Sequence, residues 1–138
     1  VTFTTDIMVG FPGEEDRDFS LTCKAVEEVR FLKIHIFPFS LRKGTLAENF
    51  KFCVEERIKK ERFWILDKLG KEISKKVKEG FLGSIQEVLV ENKVEDGWRG
   101  YSRNYLPVSM DSERDLQNMI LEVKLWKIEE DRIKGELI

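Results

Sequence analysis

Cysteine and histidine are scarce in this chain of 138 residues, which holds Cys23, Cys53 and the single histidine His35. Two cysteines set that far apart, without a partner pattern, suggest neither a disulfide framework nor a zinc site, and are expected to be buried thiols. Long apolar runs are missing too. No stretch approaches the roughly 18 residues a membrane span requires, and no basic leader precedes an apolar signal core. The expected setting is therefore cytoplasmic, with no membrane partner. Low-complexity linkers are absent as well, so any domain boundary must show as a change of hydrophobic period. The chain starts at Val1 directly in what reads as a strand, and a piece of a longer protein is the expectation.

The composition is that of a globular protein, 41% hydrophobic and 36% charged, with a formal net charge of −2. That balance argues against indiscriminate nucleic-acid binding, yet the charge is uneven. Residues 51–81 carry ten Lys or Arg against six Asp or Glu, a net +4, whereas residues 1–50 come to −2 and residues 82–138 to −4. The central basic excess fits either a solvated helix face or an RNA-facing patch.

The run FTTDIMV is short, apolar and rich in β-branched residues, and Gly10 to Gly13 end it, which predicts a buried strand. Next, EEDRDFSLTCKAVEEVRF places Phe19, Leu21, Cys23, Val26 and Val29 behind a cluster of acids, as an amphipathic helix with a stabilised N-terminus does. A second strand follows in FLKIHIFPF. Strand, helix and strand in this order make a βαβ unit with parallel pairing. A helix is then expected from about Ala47 to Glu79, with a stripe of Val54, Ile58, Ile65, Leu69, Ile73 and Val77, and with Gly70 as a possible kink. After Gly80 the texture changes to short runs broken by glycine and aspartate. These predict about five strands in a small antiparallel barrel or sandwich. The expected domains are residues 1–79 and 80–138.

Two motifs end the two strands, where ligands bind in parallel α/β architectures. In GFPGEE, glycines permit close backbone approach and Pro12 stiffens the bend, so the segment suits either a flat ligand edge or a plain strand-to-helix turn. In HIFPFSLRKGT, Arg42 and Lys43 offer two cations at a loop tip, fit for phosphate or for an ordinary surface turn. His35 alternates with Ile34 and Ile36 and reads as a structural wall residue rather than a base. Farther on, GWRGYSRNYLPV interleaves Arg99 and Arg103 with Trp98, Tyr101 and Tyr105. Cations meet phosphates while rings stack on unpaired bases, although Trp98 and Tyr105 serve equally as barrel core. Arg132 has no stacking partner in this reading.

Taken together, TTDIMVGFPGEEDRDF and LKIHIFPFSLRKGTLAE resemble the late barrel strands of the radical S-adenosylmethionine tRNA methylthiotransferases. Members carry a pattern like D-I-x-V-G-F-P-G-E-T, then H-x-F-P-Y-S-x-R-x-G-T-x-A, then a helix leading into a small β-barrel, the TRAM domain. The likeness spans nearly the whole chain. HIFPFS is more similar to the branch acting on threonylcarbamoyladenosine than to those acting on isopentenyladenosine or a ribosomal protein. Glu15 replaces a usual threonine and Phe39 a usual tyrosine, which removes a hydroxyl.

The resemblance implies the fold class α/β plus all-β: a βαβα remnant of a partial TIM-like radical barrel, then a five-stranded antiparallel TRAM barrel. It implies that Met8, Val9, Gly10, Phe37 and Pro38 line the S-adenosylmethionine pocket as shape and backbone contacts, with no catalytic residue in this part. The cofactors of the complete enzyme would be S-adenosylmethionine and 4Fe-4S iron-sulfur clusters. The three-cysteine loop, the first strands and the amino-terminal domain of the family are absent from these residues, which supply no cluster ligands of their own. The implied partner is the anticodon stem-loop of tRNA, met by Arg42, Lys43, Arg99, Tyr101, Arg103 and Tyr105. The part alone is expected to be inactive and to dimerise through residues 1–40. The alternatives are a methylthiotransferase with another substrate and a non-catalytic RNA-binding adaptor.

Overall fold

Strands β1 (Thr4–Val9) and β2 (Lys33–Pro38) pair in parallel, in register from Thr4 opposite Lys33 to Val9 opposite Pro38. The computed structural model describes all residues 1–138 and resolves them into two units, Phe3–Ser74 and Lys75–Ile138 with Val1–Thr2. Between the paired strands runs α1 (Asp16–Val29). Its N-cap is Glu15, whose N–H donates to the Asp18 carboxylate at 2.9 Å. Asp16 and Asp18 place negative charge in the first turn, where unpaired N–H groups favour it. The helix ends on Arg30 in the left-handed region, its N–H donating to the Val26 carbonyl.

The buried face of α1 is narrower than the sequence suggested. Phe19 and Val26 are buried, while Leu21 and Val29 are exposed. Residues 19 and 26 lie two turns apart on one side, whereas 21 and 29 fall outside that arc. The thiols differ from expectation as well: Cys23 is half-buried and Cys53 exposed, the latter in a loop with no apolar layer over it. Burial raises the Cys23 thiol above its ordinary pKa, and the negative charge of Glu27 adds to this.

Helix α2 (Glu56–Glu79) starts later than expected, because residues 46–49 form a short 3-10 turn and residues 50–55 are not helical. One position of its expected stripe is displaced, from Ile65 to Leu66, while Ile58, Leu69, Ile73 and Val77 lie on the covered side. Leu66 is fully buried and Ile73 nearly so, but Ile65 is 54% exposed. Toward its N-terminus the buried face carries Lys59 and Arg62, charged residues that an apolar pattern passes over. Gly70 does not split α2, which is continuous. A Cβ there would collide with the Ile34 side chain, so the glycine serves close helix-to-strand packing.

The second unit contains five strands, β3 (Ile85–Val94), β4 (Gly97–Ser102), β5 (Pro107–Met110), β6 (Ile120–Glu129) and β7 (Arg132–Leu137), closed in the order β3-β4-β5-β7-β6. Four of the five pairings are antiparallel, but β5 and β7 run parallel, against the expectation of an antiparallel barrel. Parity supplies the reason. Directions cannot alternate around a closed ring with an odd number of strands, so at least one pair must be parallel. Bulges at Val90/Asn92 and Leu125/Lys127 bend the two ten-residue strands. The interior is filled by side chains such as Val88, Val108, Met110, Val123, Leu125 and Ile133.

Candidate functional site

The two strand-end motifs meet at the carboxyl ends of β1 and β2. Alternation turns Ile7, Val9, Ile34 and Ile36 to one face of the pair. The other face presents Asp6 opposite His35 and, one pleat further on, Met8 opposite Phe37. Met8 and Phe37 are each about half exposed, at 51% and 52%. They form an open apolar step directly before the GFPGEE turn. His35 stands on the same open face and is exposed.

Val9 is fully buried, so its side chain belongs to the opposite face, and its carbonyl accepts the Phe39 N–H at 2.8 Å. Pro38 is exposed and faces Val9 in register. Gly10 has φ of +76°, and a Cβ on it would collide with Lys59 Cγ, so both conformation and space require glycine. Its N–H donates to Glu14 Oε1 at 3.0 Å. The turn is braced further by Gly13 N–H donating to the Phe52 carbonyl and Glu14 N–H to the Phe11 carbonyl, both at 2.9 Å. Phe11 packs edge-on against Phe39 and Phe50.

Arg42 and Lys43 are exposed on the loop after β2. That loop folds back on itself: Thr45 Oγ1 donates to the Arg42 carbonyl at 2.8 Å, and Gly44 N–H to Glu48 Oε2 at 2.8 Å.

On the barrel, β4 alternates strictly, with Trp98, Gly100 and Ser102 inward and Arg99 and Tyr101 outward. Trp98 is 3% exposed, and its indole N–H donates to the Ser112 carbonyl at 3.3 Å; it is core. Tyr105 is 73% exposed, at a left-handed position just after the β4 turn. Arg103 is ion-paired with Glu87 at 2.5 Å. The outward residues of four strands make an apolar row: Ile120 faces Leu89, Leu89 faces Tyr101, and Tyr101 faces Pro107.

Arg132 corrects the sequence reading. Its guanidinium lies 5.6 Å from the centre of the Tyr101 ring, and it donates to the Val108 carbonyl at 3.5 Å. The parallel β5–β7 pairing brings the start of β7 beside β5, and Tyr101 is reached across that strand. A sequence separation of 31 residues hid this neighbour.

No family model matches the chain. Curated relatives do. The chain is 36% identical over 137 residues to the threonylcarbamoyladenosine tRNA methylthiotransferase of Chlamydia pneumoniae, covering 99% of this chain and 32% of the relative. It is also 36% identical over 141 residues to the tRNA-2-methylthio-N(6)-dimethylallyladenosine synthase of Acetivibrio thermocellus, covering all of this chain and 29% of the relative. With the threonylcarbamoyladenosine tRNA methylthiotransferase of Thermotoga maritima, identity is 42% over 106 residues, or 76% of this chain and 24% of that protein. The chain thus spans about a third or less of the length of these relatives.

Proposed function

We propose, from the premise that this chain belongs to the tRNA methylthiotransferase family, that it is the carboxy-terminal part of an enzyme adding a methylthio group at C2 of a modified adenosine beside the anticodon. In that enzyme an iron-sulfur cluster and S-adenosylmethionine supply the radical chemistry. Within this chain, no group of three or more His, Cys, Asp or Glu is placed to hold a metal, so no cluster step is assigned to its residues. Residues 1–79 are the end of the radical barrel, and residues 80–138 are the RNA-binding barrel. A cytoplasmic setting belongs to this reading because its substrate is tRNA. No helix here is long and apolar enough to cross a membrane.

The observation that carries this reading is the apolar step of Met8 and Phe37 at the ends of two parallel strands, next to the glycine-hinged turn. It suits one wall of an S-adenosylmethionine site: Met8 and Phe37 offer surface to the adenine or sulfonium side, and Gly10 and Pro38 bound it with backbone. For tRNA, Arg42 and Lys43 in one unit and Arg99, Tyr101, Arg103 and Tyr105 in the other are the contacts we assign, with Arg132 added through its ring neighbour. Cations position the phosphates and exposed rings take unpaired bases. As an isolated piece, the chain would self-associate through the uncovered face and edges of β1 and β2.

Threonylcarbamoyladenosine is the substrate favoured by the HIFPFS motif. Dimethylallyladenosine is the second reading, since a relative of that branch reaches the same 36% identity. Mass spectrometry of tRNA nucleosides from a strain lacking the gene separates them. Loss of the methylthio group from threonylcarbamoyladenosine supports the first, and loss from dimethylallyladenosine the second. Unchanged methylthio nucleosides would refute both and leave a ribosomal-protein substrate or an RNA-binding adaptor.

A further inference from the structure

In the unit Phe3–Ser74, two charged side chains are buried, Lys59 and Arg62, at 7% and 5% exposure. They lie one turn apart near the start of α2; Lys59 reaches the chain just after β2, and Arg62 reaches the turn between β1 and α1. Arg62 donates through Nη1 to Glu14 Oε1 at 2.6 Å and to the Glu14 carbonyl at 3.2 Å, and through Nη2 to Asp16 at 3.1 Å. Its guanidinium also lies 5.6 Å from the Phe19 ring centre. Glu14 Oε1 is the same atom that accepts the Gly10 N–H. Lys59 donates to the Phe39 carbonyl at 3.2 Å and to Glu56 at 2.9 Å, while its aliphatic stem presses on Gly10.

Gly10 is therefore held from two directions, by the Lys59 stem and by the Arg62–Glu14 relay. Phe39, directly after β2, is held by Lys59. Buried ion pairs are a weak device for stability, because desolvation offsets much of their attraction and well-packed apolar residues often do as well. What they supply is fixed geometry: a guanidinium fork admits few arrangements of its two carboxylates and one carbonyl.

We propose that Lys59 and Arg62 are positioning residues that hold the main chain at Gly10 and Phe39 where the Met8–Gly10 and Phe37–Pro38 segments meet S-adenosylmethionine. The inference rests on the cofactor wall proposed above, and neither cation touches the cofactor itself. The loss of either cation lets the strand ends shift, and cofactor affinity falls while the fold persists.

The test uses the full-length protein, with S-adenosylmethionine affinity measured by equilibrium binding beside tRNA affinity and a urea unfolding midpoint. Lys59→Met keeps the stem and removes the ammonium; Arg62→Met removes the fork; Arg62→Lys keeps charge without the fork. Both methionine variants are expected to weaken S-adenosylmethionine binding at least tenfold with tRNA affinity within twofold of wild type. Arg62→Lys should recover only part of the loss. Glu14→Gln added to Arg62→Met should cost little more, since both act through the same relay. If Arg62→Met does not fold, Lys59→Met and Arg62→Lys carry the same comparison. The control is Met8→Glu, at an exposed position of the wall. Wild-type cofactor affinity in the cation variants, with affinity lost in Met8→Glu, would overturn the clamp and leave the wall standing. Unchanged affinity in Met8→Glu too would overturn the wall and the clamp with it.

Discussion

At the scale of single residues, the sequence offered candidates for ligand contact but gave no sign of which charges are buried. Lys59 and Arg62 sit in a basic stretch that reads as solvent-facing or RNA-facing, because lysine and arginine are rarely buried unless paired. Contacts distant in sequence bury them, with Glu14 at 48 residues from Arg62 and Phe39 at 20 from Lys59, although Lys59 also pairs with nearby Glu56. Arg132 was hidden in the same way. Its place over Tyr101 makes a prediction opposite to the sequence reading: Arg132→Glu should weaken tRNA binding as Arg99→Glu does, and each should reduce the slope of log affinity against log salt by roughly one. Salt titrations of the full-length variants decide the matter. A slope unchanged in both variants would move the RNA surface off this face of the barrel.

Secondary-structure elements were more legible. Parallel β1 and β2 with a helix between them follow from two β-branched runs and their punctuation, and the five later strands follow from short apolar runs broken by turns. Helix α2 was found with Ile73 on its buried face, but one position of its stripe was misplaced. The sequence stripe contained Ile65, whereas the packed residue is Leu66, since the buried face at that end is completed by cations and by Gly70 rather than by apolar residues. The register makes a clear contrast between neighbours. Leu66→Ala should cost about 2–5 kcal/mol, as for a filled core site. Ile65→Ala should change stability by about 0.5 kcal/mol or less, helped by the better helix propensity of alanine. Urea midpoints of the two variants measure the difference, and equal losses would contradict the placement of this helix. The parallel β5–β7 pair escaped notice for a different reason, because closure of an odd ring concerns the whole barrel and leaves no trace in any one strand.

At the scale of the whole molecule, this chain supplies about a third of the length of its relatives, and the activity proposed for it belongs to the complete protein. Its own contributions are an apolar wall at two strand ends and a ring-and-cation face on the barrel. The central claim is that the complete protein methylthiolates tRNA, and it is tested most directly by turnover. The purified full-length protein is incubated anaerobically with S-adenosylmethionine, a sulfide source, a low-potential reductant and tRNA from the deletion strain, and the nucleosides are resolved by mass. The account predicts that the adenosine beside the anticodon gains one methylthio group in place of hydrogen, with 5′-deoxyadenosine and methionine released from one S-adenosylmethionine and S-adenosylhomocysteine from the methyl-donating one. An unchanged nucleoside, from protein that holds its clusters and cleaves S-adenosylmethionine, would contradict it.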